Sequence, residues 1–129
     1  MASDRDKTQF GLTKENNAII LAIEEMSLFP NQAEAAKFAM AISIRSGAKP
    51  LPVQLSETKW NKGGFDPEGE IAETITALFP GTTTPYRAIE FFVNDGLERL
   101  GKVLASTGGL DLLTLMSSPD ADLGTAETS

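Results

Sequence analysis

Apolar residues recur along much of the chain with the spacing of an α-helix. In the segment from Lys14 to about Ser27, Ile19, Ile23 and Met26 share one face, and Thr13 is a suitable N-cap. The pattern therefore predicts a first helix in this segment.

A second helix is predicted from Asn31 to about Ser46. Pro30 ends the helix before it, and Asn31 with Glu34 has the spacing of a capping box. Gly47 suits the left-handed residue that follows a helix. The apolar residues of this helix include several alanines and cover nearly its whole circumference, so we expect it in the core or at a subunit interface.

Two dipeptides that start helices predict the third and fourth helices. Asp66 before Pro67 opens a helix to Leu78, and Thr84 before Pro85 opens one to about Ala105. Gly96 and Gly101 interrupt the second of these, which indicates that a neighbouring helix approaches closely there.

The remaining apolar segments are a short final helix and part of a long loop. Residues 110–116 are strongly apolar, so this helix should dock on the core or on another subunit. Residues 48–66 lack a clear period and are predicted as a loop, with a short extended piece at Val53–Leu55. Within it, Trp60 either covers the core, the favoured interpretation, or anchors a partner.

An alternating stretch, residues 7–13, predicts a short strand before the helices. Its faces hold Thr8, Phe10 and Leu12 on one side and Lys7, Gln9 and Gly11 on the other. A strand this short needs a pairing partner, and we expect the same strand of a second subunit to supply it. The predicted fold class is therefore all-α, with four main helices, a short C-terminal helix and a short N-terminal strand.

The composition mainly excludes classes of function and kinds of site. The 129 residues fit one helical domain over residues 7–116, with a flexible terminus at 1–6 and a disordered acidic tail at 117–129. The chain has no cysteine and no histidine, which removes the commonest nucleophile–base pairs and transition-metal ligands. We therefore expect no enzyme activity, catalytic residue, metal or cofactor. An enzyme that uses carboxylates or lysine is the residual alternative.

Charge and hydropathy bear on the partners. The net charge is −7, which favours solubility and argues against a uniformly basic nucleic-acid surface. The polar start has no signal-peptide pattern, and no apolar run is long enough for a membrane span. The expectation is a cytoplasmic protein without a membrane partner.

The order of strand, helix, proline-terminated turn and capped helix resembles the ribbon-helix-helix family of DNA-binding proteins. In that family two strands from two chains pair and enter the major groove, while the second helix holds a phosphate at its N-terminus. The resemblance implies that Lys7, Gln9 and Gly11 face the groove and that Asn31 and Gln32 lie near phosphate. Arg5, Lys7 and Lys14 would form a local basic patch.

A longer resemblance, over roughly residues 8–116, is to the DndE family of bacterial DNA sulfur-modification systems. The similar stretches are Phe10–Asn16, Ala35–Ile42, Phe65–Glu70, Ile75–Phe79 and Asn94–Leu100. This resemblance implies a helical, oligomeric protein that binds DNA through surface lysines.

Two functional hypotheses follow. The first is a non-catalytic, homo-oligomeric (dimer or tetramer) DNA-associated protein that uses Lys7, Gln9, Gly11, Lys14, Asn31 and Gln32. The second is a protein–protein interaction module without nucleic-acid binding, whose contact residues would be Trp60, Leu112 and Leu113.

Overall fold

The computed structural model describes residues 5–117. Its elements are β1 (Gln9–Leu12), α1 (Lys14–Glu25), α2 (Gln32–Arg45), β2 (Glu57–Asn61), α3 (Lys62–Phe65), α4 (Glu70–Leu78), α5 (Pro85–Thr107) and α6 (Leu112–Ser117). The described part is mostly helical, as the sequence predicts, and it also contains a two-stranded antiparallel sheet.

The long helix α5 is the centre of the fold and packs against α1, α2, α4 and β1. A Cβ atom at Gly96 would lie 1.8 Å from the carbonyl oxygen of Ala39, so α2 and α5 touch through their backbones. At Gly101 an added Cβ would lie 2.7 Å from Cδ1 of Ile19 on α1. Both glycines therefore mark close helix contacts, which confirms the prediction.

The predicted caps of the first two helices are present. The hydroxyl of Thr13 accepts a hydrogen bond from the Asn16 amide at 3.2 Å, and Oδ1 of Asn31 accepts one from the Glu34 amide at 2.9 Å. Each side chain satisfies a backbone donor that lacks a partner within its helix.

The segment predicted as a long loop contains two regular elements, β2 and α3, which corrects the prediction for residues 48–66. Residues 53–55, where an extended piece was expected, are not a strand. Strand β2 forms because β1 supplies its hydrogen-bonding partner, with Phe10 opposite Trp60. This long-range pairing is invisible in a local pattern that mixes lysine, threonine and asparagine.

Strand β1 pairs with β2 of its own chain, which corrects the expectation of a partner strand from a second subunit. Its other edge is filled by α5, because the Gly11 amide donates to Glu90 at 3.0 Å and the Thr13 amide donates to Asn94 at 3.0 Å. Both edges of β1 are thus satisfied within one chain.

The start of the third predicted helix lies later than the sequence indicates. Helix α4 begins at Glu70 after Gly69, which has φ of +73°, rather than at Pro67. Asp66 still caps it, because its carboxylate accepts hydrogen bonds from the amides of Ile71 and Ala72, both at 3.0 Å.

The N-terminus of α5 follows Thr84 as predicted, but its cap comes from a distant residue. The Asp6 carboxylate accepts hydrogen bonds from the amides of Tyr86 and Arg87, both at 3.0 Å. Residues 5 and 6 therefore contact the start of α5, and the flexible terminus stays a prediction. The predicted acidic tail lies, apart from Ser117, outside the described residues, as do residues 1–4.

The apolar C-terminal segment docks on the core of its own chain, since Leu115 of α6 is buried there. Within residues 5–117, no helix combines the length and the apolar character needed to cross a membrane.

Candidate functional site: an aromatic cluster with a lysine face

Four aromatic side chains from β1, β2, α3 and α5 form one aromatic cluster: Phe10, Trp60, Phe65 and Tyr86. Phe10 is central, with ring-centroid distances of 4.9 Å to Phe65 and 6.2 Å to both Trp60 and Tyr86. Trp60 and Phe65 are 5.3 Å apart. The cluster therefore fixes the β1–β2 ribbon and α3 on the start of α5.

Three lysines from three different elements lie over rings of this cluster, and we call them the lysine face. The Nζ atoms of Lys37, Lys59 and Lys62 are 5.3, 6.0 and 5.5 Å from the ring centroids of Phe65, Trp60 and Tyr86, respectively. At these distances each ammonium group is attracted to the negative face of a ring. The fold thus gathers cations that are far apart in the sequence.

The lysine face is only partly neutralised by carboxylates. Lys37 pairs with Glu34 at 3.3 Å, and Lys59 donates to the uncharged Oδ1 of Asn17 at 2.7 Å. Among the described residues, neither Lys59 nor Lys62 forms an ion pair. Lys59 and Lys62 are therefore cations without an ion-paired carboxylate on a chain whose net charge is −7, and Glu57 lines the same groove as Lys59.

Asp66 and Tyr86 stabilise the cluster from the α4 side, since the Tyr86 hydroxyl donates to Asp66 at 2.8 Å. Burial alone would raise the pKa of Asp66, but hydrogen bonds from Ile71, Ala72 and Tyr86 outweigh it and lower that pKa. Burial and the neighbouring carboxylate raise the pKa of Tyr86 to about 12. The pair is therefore an ionised acceptor and a neutral donor at pH 7.

A buried polar network joins the ribbon to α5. The Glu90 carboxylate accepts hydrogen bonds from Lys7 Nζ at 2.7 Å, from the Gly11 amide at 3.0 Å and from the Ser56 hydroxyl at 2.9 Å. These donors compensate the cost of burying a carboxylate. Lys7 is thereby committed to a structural ion pair.

Asn94, one turn along α5, is buried and uses both ends of its amide. Its nitrogen donates to the carbonyls of Gly11 and Glu90, and its oxygen accepts from the Thr13 amide and from Asn16 Nδ2. Oδ1 of Asn16 is buried without a hydrogen-bond partner among the described residues. The network therefore ties β1 and the start of α1 to α5.

The structure does not bring the six predicted DNA-contacting residues to one surface. Lys7 is paired with Glu90, and Gly11 is buried, where a Cβ would lie 1.7 Å from the carbonyl oxygen of Glu57. The Lys7 side chain is still 27% exposed, and the groove-binding role of both residues stays a prediction. Gln9 and Lys14 are exposed.

Asn31 and Gln32 lie at the other end of α1 from Lys14. Gln32 donates to Glu24 at 2.8 Å, ten residues or about 15 Å along the helix from Lys14. Glu24 and Glu34 place negative charge beside the N-terminus of α2, and the phosphate contact of Asn31 and Gln32 stays a prediction.

The three predicted partner-binding residues have different environments. Trp60 is half-buried on the aromatic cluster of its own chain, which favours the interpretation that it covers the core. Leu112 is half-buried, and Leu113 is 81% exposed. The lysine face is not among the residues predicted from the sequence, although Lys59 and Lys62 lie close to Trp60 in a recognisable basic–aromatic pattern.

Other kinds of evidence do not assign a function. Residues 5–117 contain no group of acidic side chains arranged to hold a metal ion. Comparisons with protein-family models, curated proteins and solved structures return no match to this chain.

Proposed function

We propose that this chain is a small, non-catalytic, DNA-associated accessory protein that contacts the phosphate backbone through its lysine face. The observation that carries the proposal is the convergence of Lys37, Lys59 and Lys62 on one aromatic cluster. The rings hold the lysine side chains in place, so less entropy is lost when phosphates bind.

This proposal differs from insertion of a strand into the major groove. Phosphate contacts carry affinity but no sequence information, so the binding should be independent of sequence. The overall acidity opposes binding, but charges beyond about 10 Å are screened at 0.1 M salt. Lys59 and Lys62, which form no ion pair among the described residues, can therefore contact phosphates at short range.

The test is fluorescence anisotropy on duplex DNA, starting at about 50 mM salt and rising. With three phosphate contacts, log affinity should fall against log salt with a slope of about −2.7. The variant Lys37→Gln/Lys59→Gln/Lys62→Gln should lose most of the binding and most of that slope.

The matched control is Arg45→Gln/Lys49→Gln/Lys102→Gln, which changes the net charge equally at three exposed positions outside the lysine face. It should bind close to the wild-type level. An equal loss in both variants would show that only net charge matters, and no binding by the wild type at low salt would refute the proposal.

Self-association as a dimer or tetramer is part of this proposal, because each added copy of the chain brings another lysine face into contact with the same DNA duplex. Since β1 has both edges filled within its own chain, another surface must be used. The leucines on and after α1, Leu21 and Leu28, are 43% and 38% exposed and offer apolar area. Light scattering that returns only monomer at high concentration would contradict self-association.

A protein–protein interaction module is the second candidate, and one segment favours it. Leu51 and Leu55, before β2, are 66% and 91% exposed, and Leu55 has φ of +59°, which is strained for a leucine. A stable protein partner recovered without nucleic acid, and lost from Leu51→Ser/Leu55→Ser, would support this candidate over DNA binding.

A further inference from the structure

A pocket of about 540 Å³ lies between the Pro50–Val53 segment and the start of α5. One wall is apolar and consists of Pro50, Leu51, Pro52 and Val53. The opposite wall is polar and includes residues 82–84 and Arg87. This size and mixture of surfaces are typical of sites for small organic molecules.

The inner end of the pocket is a buried ion pair that is already satisfied. Glu90, whose side chain is 4% exposed, holds Lys7 at 2.7 Å and also accepts from the Gly11 amide and the Ser56 hydroxyl. The two charges offset each other. This end of the pocket is thus held rigid, and Arg87 determines which ligand charge the pocket favours.

Arg87 presents an oriented cation to the pocket. Its Nε donates to the carbonyl of Arg5 at 2.8 Å, which fixes the plane of the guanidinium group. Among the described residues, no acceptor forms a hydrogen bond with the terminal nitrogens of Arg87. The hydroxyls of Thr83 and Thr84 also form no hydrogen bond with these residues. These groups can donate together to one carboxylate.

The backbone amides at the N-terminus of α5 are not the groups that favour a negatively charged ligand. The amides of Tyr86 and Arg87 are taken by the Asp6 carboxylate, and the Ala88 amide by the Thr84 carbonyl. Those amides in turn offset the charge of Asp6. The lining itself holds two cations, Lys7 and Arg87, against the single carboxylate of Glu90.

We propose that this pocket binds a small carboxylic acid with an apolar body. The carboxylate accepts hydrogen bonds from Arg87 and the neighbouring threonine hydroxyls, and the apolar body lies along Pro50–Val53 and Ala88. None of the residues that line this pocket belongs to the lysine face, so substitutions can test the two sites independently.

The experiment is an NMR titration of the full chain with octanoate, with neutral 1-octanol as the matched ligand. Octanoate should shift the backbone amides of residues 51, 53, 82–84, 87 and 88 saturably, with a dissociation constant on the order of 1 mM for a ligand of this size. Octanol should bind at least about tenfold more weakly, because it lacks the charge-assisted hydrogen bonds.

Two variants and a control locate the site. Arg87→Gln should weaken octanoate binding about tenfold without weakening octanol binding, and Thr83→Trp, at an exposed position on the rim, should block both ligands. Lys102→Gln, an exposed cation towards the other end of α5, should change neither. Unsaturable shifts, equal binding of octanol, or full octanoate binding by Arg87→Gln would each overturn the proposal.

Discussion

Helix α5 holds two of its neighbours, α2 and β1, in opposite ways. Against α2 it places Gly96, whose missing side chain lets the helix touch the carbonyl of Ala39. Against β1 it places Glu90 and Asn94, whose side chains bond to strand backbone that no other strand covers. The first contact depends on the absence of atoms, and the second depends on the presence of particular donors and acceptors.

The two contacts should therefore fail for different reasons. The α2–α5 contact is close-packed, so added volume is costly there. The β1–α5 contact is polar and buried, so the loss of a single hydrogen-bonding group leaves partners unsatisfied. Substitutions that add or remove a few atoms can separate these two mechanisms.

The largest effect is expected for Gly96→Ala. The added methyl would lie 1.8 Å from a backbone oxygen, so α2 must move away from α5 along its length. We expect a loss of roughly 3 to 4 kcal/mol in the free energy of unfolding, despite the better helix propensity of alanine. Urea denaturation followed by Trp60 fluorescence measures it.

Gly101→Ala is the matched control, because it makes the same chemical change on the same helix. There the added methyl meets the tip of the flexible Ile19 side chain, at 2.7 Å, rather than backbone. Rotation of that tip, with about 1 kcal/mol of gained helix propensity, should leave stability nearly unchanged. Equal losses at both glycines would contradict the backbone-contact explanation.

A smaller loss, about 2 to 3 kcal/mol, is expected for Asn94→Ala. Truncation leaves the Thr13 amide, the Gly11 carbonyl and Asn16 without their partner in the interior. The half-buried Asn17, whose side chain makes one hydrogen bond to Lys59, gives the control Asn17→Ala, which should cost well under half as much. Equal losses in urea denaturation would show that burial of the network contributes little.

The same contrast explains how much of the fold could be predicted from the sequence. Helical spacing, proline starts and caps are local, so the four main helices and the short C-terminal helix were predicted, with boundaries a few residues off. Gly96 and Gly101 also signalled close contacts correctly, because a glycine inside an amphipathic helix needs a packing reason.

The polar contacts could not be predicted, because they join residues about 80 positions apart. Glu90 lies in a helix that also carries surface acids, and nothing local distinguishes a buried glutamate from an exposed one. Strand β2 depends on β1 in the same way, so the ribbon was assigned to the wrong partner. The lysine face is likewise assembled by pairing of distant segments, and only the proximity of Lys59, Trp60 and Lys62 in sequence hinted at it.

The smallest expected effect concerns a third contact of α5, the hydrogen bond from Tyr86 to Asp66. Tyr86 is the single tyrosine of the chain, so its ionisation can be followed directly by ultraviolet absorbance. Burial and Asp66 raise its pKa to about 12 from 10.0, so the stability that the neutral hydroxyl contributes is complete below pH 10 and is lost as pH rises through 12. On the acid side the sign is opposite. Hydrogen bonds outweigh burial and lower the pKa of Asp66. The stability that the Asp66 carboxylate contributes is therefore complete above its ordinary pKa of 3.8 and is lost as pH falls through the lowered value.

Tyr86→Phe should lower the free energy of unfolding by about 1 kcal/mol at pH 7 and remove the loss of stability at alkaline pH. Most of the loss at acid pH should stay, because it depends on the hydrogen bonds from the amides of Ile71 and Ala72. A titration midpoint near 10 in the folded protein would show that Asp66 does not hold the hydroxyl, and the polar ties of α5 would then be confined to β1 and the segments beside it.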